Sequence, residues 1–287
     1  MSCLKVNNSP IFINENYVKS EDYVPSPFRY PGGKFYALKF IIPFLDCIKH
    51  DEFREPFVGG GSVFFGKRKV ETNIINDLES DLIATYRAIA NDEMCNRLIE
   101  ELTPEVANRD RHLYYKTLQP ADSYELAKKI YYLNRTSYSG IINKPAWGYK
   151  EGNSSPPQNW HRFLINANKK LKDVHIENTD FVDNIDRDPI IKGGTVLMYL
   201  DPPYFHADTK RAYTKPFSEF DHRRLADKLA KTNHYFCLSY DDCKEIRDLY
   251  SWAFIYERSW FYNTANTSGK RIVGNELIIT NYNVQHS

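Results

Sequence analysis

The sequence predicts an α/β protein built on a mostly parallel, doubly wound sheet. Three observations carry this reading. First, short apolar runs recur near 73–76, 174–178, 195–200, 234–240, 253–256 and 276–280, with helix-period stretches between most of them. That alternation is the signature of βα units packed on both faces of one sheet. Second, a glycine loop, Gly59-Gly60-Gly61, stands between a strand pattern (Glu52 to Glu55) and a helix pattern. Third, the run Thr195 to Leu200 is cut off by Asp201-Pro202-Pro203-Tyr204. Two prolines fix φ and remove two donors, so the strand stops abruptly and leaves a rigid turn. Ligands of such sheets sit outside the carboxyl ends of the strands, where both turns fall.

Length and composition are compatible with this fold and exclude several classes. The 287 residues suffice for one large domain or a core with an insert. The formal net charge is +1, so any hold on a polyanion must come from local basic clusters. The five cysteines (Cys3, Cys47, Cys95, Cys237, Cys243) are scattered, and no pair has metal-ligand spacing. Reduced thiols in a cytoplasmic protein are therefore expected. The eight histidines are dispersed, and none is assigned to a metal. There is no signal-peptide pattern, and no apolar stretch approaches the roughly 18 residues of a membrane span.

The elements follow in chain order. Residues 1–27 are polar and punctuated by proline, and read as an arm. Tyr30-Pro31-Gly32-Gly33-Lys34 precedes a helix from Phe35 to Phe44; its glycines and cation suit a carboxylate or phosphate, or form an ordinary turn. In Gly59-x-Gly61 the chain can turn tightly against a nucleotide-like ligand. Phe64 occupies the third glycine position of the dinucleotide fingerprint, which disfavours NAD. The strand at 73–76 ends at Asp77, either a ribose ligand or the N-cap of a helix from about Leu78 to Ala90.

From Met94 to Lys172 the pattern changes. Helical periodicity shows at 94–102 and 127–133, with polar segments between. Aromatics and cations then interleave through Tyr131 to Lys150. Arg135, Tyr138, Asn143 and Lys144 belong to a mixture that suits phosphate positioning and base-edge readout; a solvated helical hairpin is the alternative. The strand at 174–178 ends at Asp180-Phe181, an acid and a ring that could hold an adenine. Lys210 and Arg211 lie in a basic loop after Tyr204. A helix from Asp221 to Lys231, capped by Ser218 or Asp221, and another at Lys244 to Leu249 alternate with the last strands, which are expected to close as a hairpin.

Asp201-Pro202-Pro203-Tyr204 suits a planar amine. The Asp201 carboxylate and a backbone carbonyl can accept its two N–H bonds while the Tyr204 ring stacks on its face. A helix-capping acid beside a surface tyrosine is the plainer alternative.

Taken together, the chain resembles the Dam-type, α-class (D12) DNA adenine-N6 methyltransferases. The matching pieces are Tyr30 to Lys34, Glu55 to Ser62, Asn76 to Leu82, Leu133-Asn134-Arg135, Asp201 to Tyr204, and Ser268 to Arg271 before Asn275-Glu276-Leu277. They stand in the family's order from about residue 28 to 281. The resemblance implies a Rossmann-like S-adenosylmethionine-dependent core at 1–93 and 173–287. It implies an inserted, mainly helical target-recognition domain at 94–172. It places Tyr30, Gly33, Lys34, Pro56, Phe57, Gly59, Gly61, Ser62, Asp77, Asp180, Phe181 and Asp201 around S-adenosylmethionine. Asp201, Pro202 and Tyr204 would be catalytic. Arg135, Tyr138, Asn143, Lys144, Lys210, Arg211, Lys270 and Arg271 would face double-stranded DNA.

The expected reaction is methyl transfer to the N6 amine of a flipped-out adenine. The expected protein is a monomer, with a dimer as the alternative, working in a bacterial or phage-infected cell and paired with a restriction endonuclease or alone. N4-cytosine methylation and a non-catalytic DNA-binding module are the rival readings. At Tyr204 the ring and not the hydroxyl is expected to matter.

Overall fold

A computed structural model of the chain describes residues 7–13, 19–206, 217–262 and 272–286. Strands β1 (Asn7–Ile13), β2 (Glu52–Glu55), β3 (Thr72–Asn76), β4 (Val174–Glu177), β5 (Val196–Leu200), β6 (Tyr235–Asp241), β7 (Phe254–Tyr262), β8 (Ile272–Thr280) and β9 (Tyr282–His286) alternate with helices. The helices are α1 (Leu38–Asp46), α2 (Ser62–Gly66), α3 (Ser80–Ala90), α4 (Asp92–Leu102), α5 (Arg109–Thr117), α6 (Ser123–Thr136), α7 (His161–Leu171), α8 (Phe181–Asp186), α9 (Glu219–Lys231) and α10 (Lys244–Leu249).

The main sheet has seven strands in the order β4-β3-β2-β5-β6-β8-β7. β2 to β6 are mutually parallel, while β8 runs antiparallel to both β6 and β7. From β2 the chain winds outward through β3 and β4, then returns to β5 on the other side of β2. The winding direction therefore reverses between β2 and β5, and a crevice opens beyond their carboxyl ends. The glycine loop follows β2 and the Asp201 turn follows β5, so the topology alone makes them neighbours.

Strand alternation sorts side chains into two layers. Along β5, Leu197 and Tyr199 enter one hydrophobic cluster, while Val196, Met198 and Leu200 enter the other. Phe236, Cys237 and Leu238 of β6 and Leu277, Ile278 and Ile279 of β8 divide the same way. A strand buried on both faces reads as a continuous apolar run, which is why these strands were legible. α1, α3, α4, α6 and α7 supply the first layer, and α8, α9 and α10 the second.

Between α3 and β4 the chain leaves the sheet for α4 to α7. Leu98, Tyr115, Tyr131 and Trp160 from this stretch share one hydrophobic cluster with Ile41, Phe65 and Ile83. The inserted stretch is thus continuous with the core by packing.

Several elements differ from the sequence expectation. The helix expected from Phe35 begins as a 3-10 turn at Lys34–Ala37. α3 starts at Ser80, so Asp77 is not its N-cap. α5 carries too many polar residues for its periodicity to stand out, whereas α7 buries Leu164, Ala167 and Leu171 at helical spacing and turns a lysine, Lys170, inward with them. That lysine is held by Asp22 at 2.8 Å and the Lys67 carbonyl at 2.7 Å, and so ties the N-terminal arm to the core. Part of the expected arm forms β1, which pairs in parallel with β9 as a separate two-stranded sheet. Ser218 caps α9 in a reciprocal capping box with Asp221. β7 and β8 form the expected antiparallel pair. Among the described residues, no helix is long and apolar enough to cross a membrane.

Candidate active site

The glycine loop is built from β2 outward. Gly59 and Gly61 have φ of 45° and 70°, the left-handed region that a side chain disfavours. A Cβ on Gly59 would lie 2.9 Å from the Tyr30 ring, and one on Gly61 would lie 2.8 Å from the Tyr86 hydroxyl. The loop's glycines therefore admit two tyrosines as well as any ligand. Tyr86 donates from its buried hydroxyl to the Gly59 carbonyl at 2.9 Å.

Asp77 lies across the loop. One of its oxygens accepts the Gly59 N–H and the other the Glu79 N–H, each at 2.9 Å. Burial pushes its pKa up to about 6 against the pull of these donors. The Leu78 backbone also bears on it, and since a carboxylate has about four lone-pair sites, capacity for a further hydrogen bond is left. Asn76, fully buried, joins three strand ends. Its amide donates to the Pro56 and Thr179 carbonyls at 3.0 Å, and its oxygen accepts from the Thr179 N–H at 2.9 Å. The sequence reading gave this residue no role; a buried asparagine at the end of an apolar strand is the signal that was available.

The Asp201 turn faces this loop. Lys34, only 4% exposed, sits 2.8 Å from both carboxylate oxygens of Asp201. Ser239 of β6 donates to Asp201 Oδ1 at 2.9 Å, and Tyr199 pairs with Ser239 at 2.8 Å. The carboxylate is thus oriented by a cation and a hydroxyl while its side chain keeps 21% exposure. Lys34 also lies 4.8 Å from the centre of the Tyr204 ring. Below the turn, Asp241 accepts the backbone N–H of Phe205 at 3.1 Å. The Tyr204 hydroxyl donates to Glu276, a partner that the sequence did not indicate. Glu55, at the end of β2, is fully buried, and burial together with the negative charge of Asp201 drives its pKa well up.

Phe57 stacks on Phe181 with centroids 5.4 Å apart, and Phe217 meets both rings. Phe181 is 1% exposed, and the Arg224 guanidinium lies 4.5 Å over its ring. Its ring faces are occupied by protein, so the partly exposed Phe57 is the better stacking surface in this group. Asp180 caps α8 through the Val182 N–H at 2.9 Å and pairs with Arg224 at 2.6 Å.

The residues expected at DNA divide into two groups. Tyr138 and Lys144 are exposed and Asn143 partly so, on a loop closed by a Ser137–Trp147 bridge. Arg135 is buried instead, with 7% exposure. Its guanidinium stacks 4.4 Å from the Phe163 ring and reaches the Pro27 carbonyl at 3.5 Å. In this conformation Arg135 packs in the interior and does not present its guanidinium on the exposed loop expected to face DNA. Its neighbour Asn134 binds the Arg29 N–H at 3.0 Å, the Arg29 carbonyl at 2.7 Å and the Gly140 carbonyl at 2.8 Å. The Leu133-Asn134-Arg135 piece therefore ties the chain just before Tyr30 to the inserted helices. Lys210, Arg211, Lys270 and Arg271 lie outside the described residues. His206, Cys243 and Glu245, after the Asp201 turn and at the start of α10, bring ligand-type atoms within 4.8 Å of one another, a grouping that sequence spacing did not indicate.

The sequence is similar to those of known proteins. A family model described as D12 class N6 adenine-specific DNA methyltransferase matches residues 30–264. The type II methyltransferase M.CviBI of Paramecium bursaria Chlorella virus NC1A is 30% identical over 273 residues, covering 88% of this chain and 98% of that protein. The type II methyltransferase M1.LlaDCHI of Lactococcus lactis subsp. cremoris is 27% identical, covering 88% of this chain and 94% of the relative. A DNA adenine methylase of Serratia marcescens is 28% identical, covering 69% and 75% respectively.

Proposed function

Since the chain belongs to the D12 class of N6 adenine-specific DNA methyltransferases, we propose that the turn at Asp201, Pro202 and Tyr204 carries out the methyl transfer. The observation that supports this most is the Lys34–Asp201–Ser239 arrangement at the point where the sheet reverses its winding.

The residues around the crevice fit S-adenosylmethionine as the methyl donor. Asp77 has acceptor capacity for ribose hydroxyls, Phe57 offers a partly exposed ring, and Lys34 places a cation beside Asp201. Tyr30 packs against Gly59 and Gly60, and Gly33 lies near Tyr30 and Ser62; with Pro56 and Gly61 of the same loop, and Asp180 beside the Phe57–Phe181 stack, these residues are proposed to line the cofactor site. When bound, the cofactor supplies an electrophilic methyl sulfonium.

The protein's part is orientation and electrostatics. The amino lone pair of adenine is delocalised into its ring, which makes it a poor nucleophile. The Asp201 carboxylate and the Pro202 carbonyl accept its two hydrogens. That favours a pyramidal nitrogen with its lone pair directed out of the ring plane. Lys34 and Ser239 stop the carboxylate from rotating away, so no reorganisation is needed when the amine arrives. Asp201 need not remove a proton first, because the proton is acidic once the nitrogen has been alkylated. The target amine is enclosed in the duplex, so the base must be extruded, and Tyr204 stacks on its face.

The inserted stretch 94–172 acts as the target-recognition part, with Tyr138, Asn143 and Lys144 on its exposed loop. The protein works as a monomer, one strand at a time. Relatives named type II methyltransferases favour a role beside a restriction endonuclease. Calorimetry with S-adenosylmethionine tests the cofactor reading: a saturable heat that Asp77→Ala abolishes is expected. A cofactor affinity unchanged by Asp77→Ala contradicts the assignment of Asp77. Long-read mapping of modified adenines in treated genomic DNA then gives the target motif.

A further inference from the structure

A hydrogen bond at the tip of a tyrosine restricts χ1 and χ2 and so holds the ring in one orientation for a base to stack on. In this structure the Tyr204 hydroxyl is held by Glu276. Glu276 stands in the middle of β8, opposite Asp241 of β6 and Arg258 of β7, and is 2% exposed. One of its oxygens accepts from Tyr204, while the other, Oε1, is buried with no hydrogen-bond partner among the described residues. Its neighbours Leu277, Ile278 and Ile279 all enter the hydrophobic clusters. A leucine would pack at such a position with no polar atom to satisfy. An incompletely bonded buried carboxyl costs stability, so its presence calls for an explanation other than packing. Three groups meet around Tyr204: Lys34 over the ring at 4.8 Å, the Tyr240 ring at 6.1 Å, and Glu276 at the hydroxyl. Among the described residues, Glu276 alone fixes the far end of the side chain by a directional bond.

We propose that Glu276 is a positioning residue for methyl transfer, anchoring the Tyr204 hydroxyl so that the ring is presented to the target base beside Asp201. This rests on the reading of Tyr204 as the stacking residue. Glu276 touches neither base nor cofactor and acts through Tyr204 alone. The conservative amide keeps an acceptor for the hydroxyl, so Glu276→Gln preserves the anchor, whereas Glu276→Leu removes it. Tyr204→Phe removes the same bond from the other side.

The test is a kinetic double-mutant cycle in single-turnover methylation of a duplex. Glu276→Leu and Tyr204→Phe are each expected to slow transfer about tenfold, the size of one lost hydrogen bond. The double variant is expected to be slowed about tenfold too, because both changes break one bond. Glu276→Gln should stay within about threefold of wild type, and cofactor and duplex affinities should hold within about twofold throughout. A roughly hundredfold loss in the double variant, or full turnover in Tyr204→Phe, overturns the proposal. The Tyr204→Phe arm decides even if Glu276→Leu does not fold. Tyr204→Ala serves as the control: if it keeps full turnover, the stacking role itself fails. If it loses turnover while Tyr204→Phe does not, only the anchor fails.

Discussion

Replacing Asn134 by alanine separates a brace from a DNA reader. The Asn134 side chain makes three hydrogen bonds at the junction of the arm and the inserted helices, at 3.0, 2.7 and 2.8 Å. It is fully buried, so water cannot replace the amide. The substitution leaves the Arg29 N–H and carbonyl and the Gly140 carbonyl without this partner. Each unsatisfied buried group costs about 1–3 kcal/mol, but relaxation is shared among neighbours and the costs do not add. A loss of about 2–4 kcal/mol is expected, a large part of a typical domain's stability. Urea unfolding followed by circular dichroism measures it, with the midpoint falling and the slope unchanged. Duplex affinity of the folded variant, at a temperature where it stays native, should change little. A stability change under about 0.5 kcal/mol together with a large loss of DNA affinity would refute the reasoning. Asn134 would then be a contact residue despite its burial.

Three further outcomes follow from the same geometry. Arg135→Met should leave the salt dependence of duplex binding unchanged, whereas loss of a phosphate contact would reduce the slope by about 1; fluorescence anisotropy over a salt series distinguishes them. Gly140→Ala should cost more than about 2 kcal/mol, since φ is +74° and the new Cβ would lie 2.2 Å from the Arg29 carbonyl oxygen. Its urea midpoint should fall less than additively with Asn134→Ala, because both disturb one junction. Burial pushes the Glu276 carboxyl up to about 7 from its ordinary 4.5. The folded state therefore binds that proton more tightly than the unfolded chain, and stability is lost as pH rises from about 4.5 through 7. Glu276→Gln should remove about 2–3 kcal/mol of that pH dependence between pH 5 and 8, read by urea unfolding at several pH values.

The central sheet and the two loops at its rim were legible because their signals are local. β5 is a continuous apolar run ended by two prolines, and the glycines after β2 stand where φ turns positive. The features that escaped depend on distant partners. β1 is a strand only because β9 lies beside it. Arg54, in a central strand, is buried with Glu52 at 2.6 Å and caps the carbonyls of Arg187 and Asp188, none of which its own neighbours announce. Arg135 looked like a phosphate ligand because arginine beside aromatics suits nucleic acid as well as it suits a packed interior. α5 buries only His112 and Tyr115, too few for a periodic face. Glu276 was visible as part of a motif, but its bond to Tyr204 crosses 72 residues and belongs to the tertiary structure.

The most direct measurement of the central claim is single-turnover transfer from labelled S-adenosylmethionine to unmethylated duplex DNA by wild type and Asp201→Ala, with the product digested to nucleosides. N6-methyladenine from the wild type is predicted. Under the same conditions Asp201→Ala should yield none while its duplex affinity stays within a small factor. Near-normal turnover by Asp201→Ala, or label recovered in cytosine, would contradict the account.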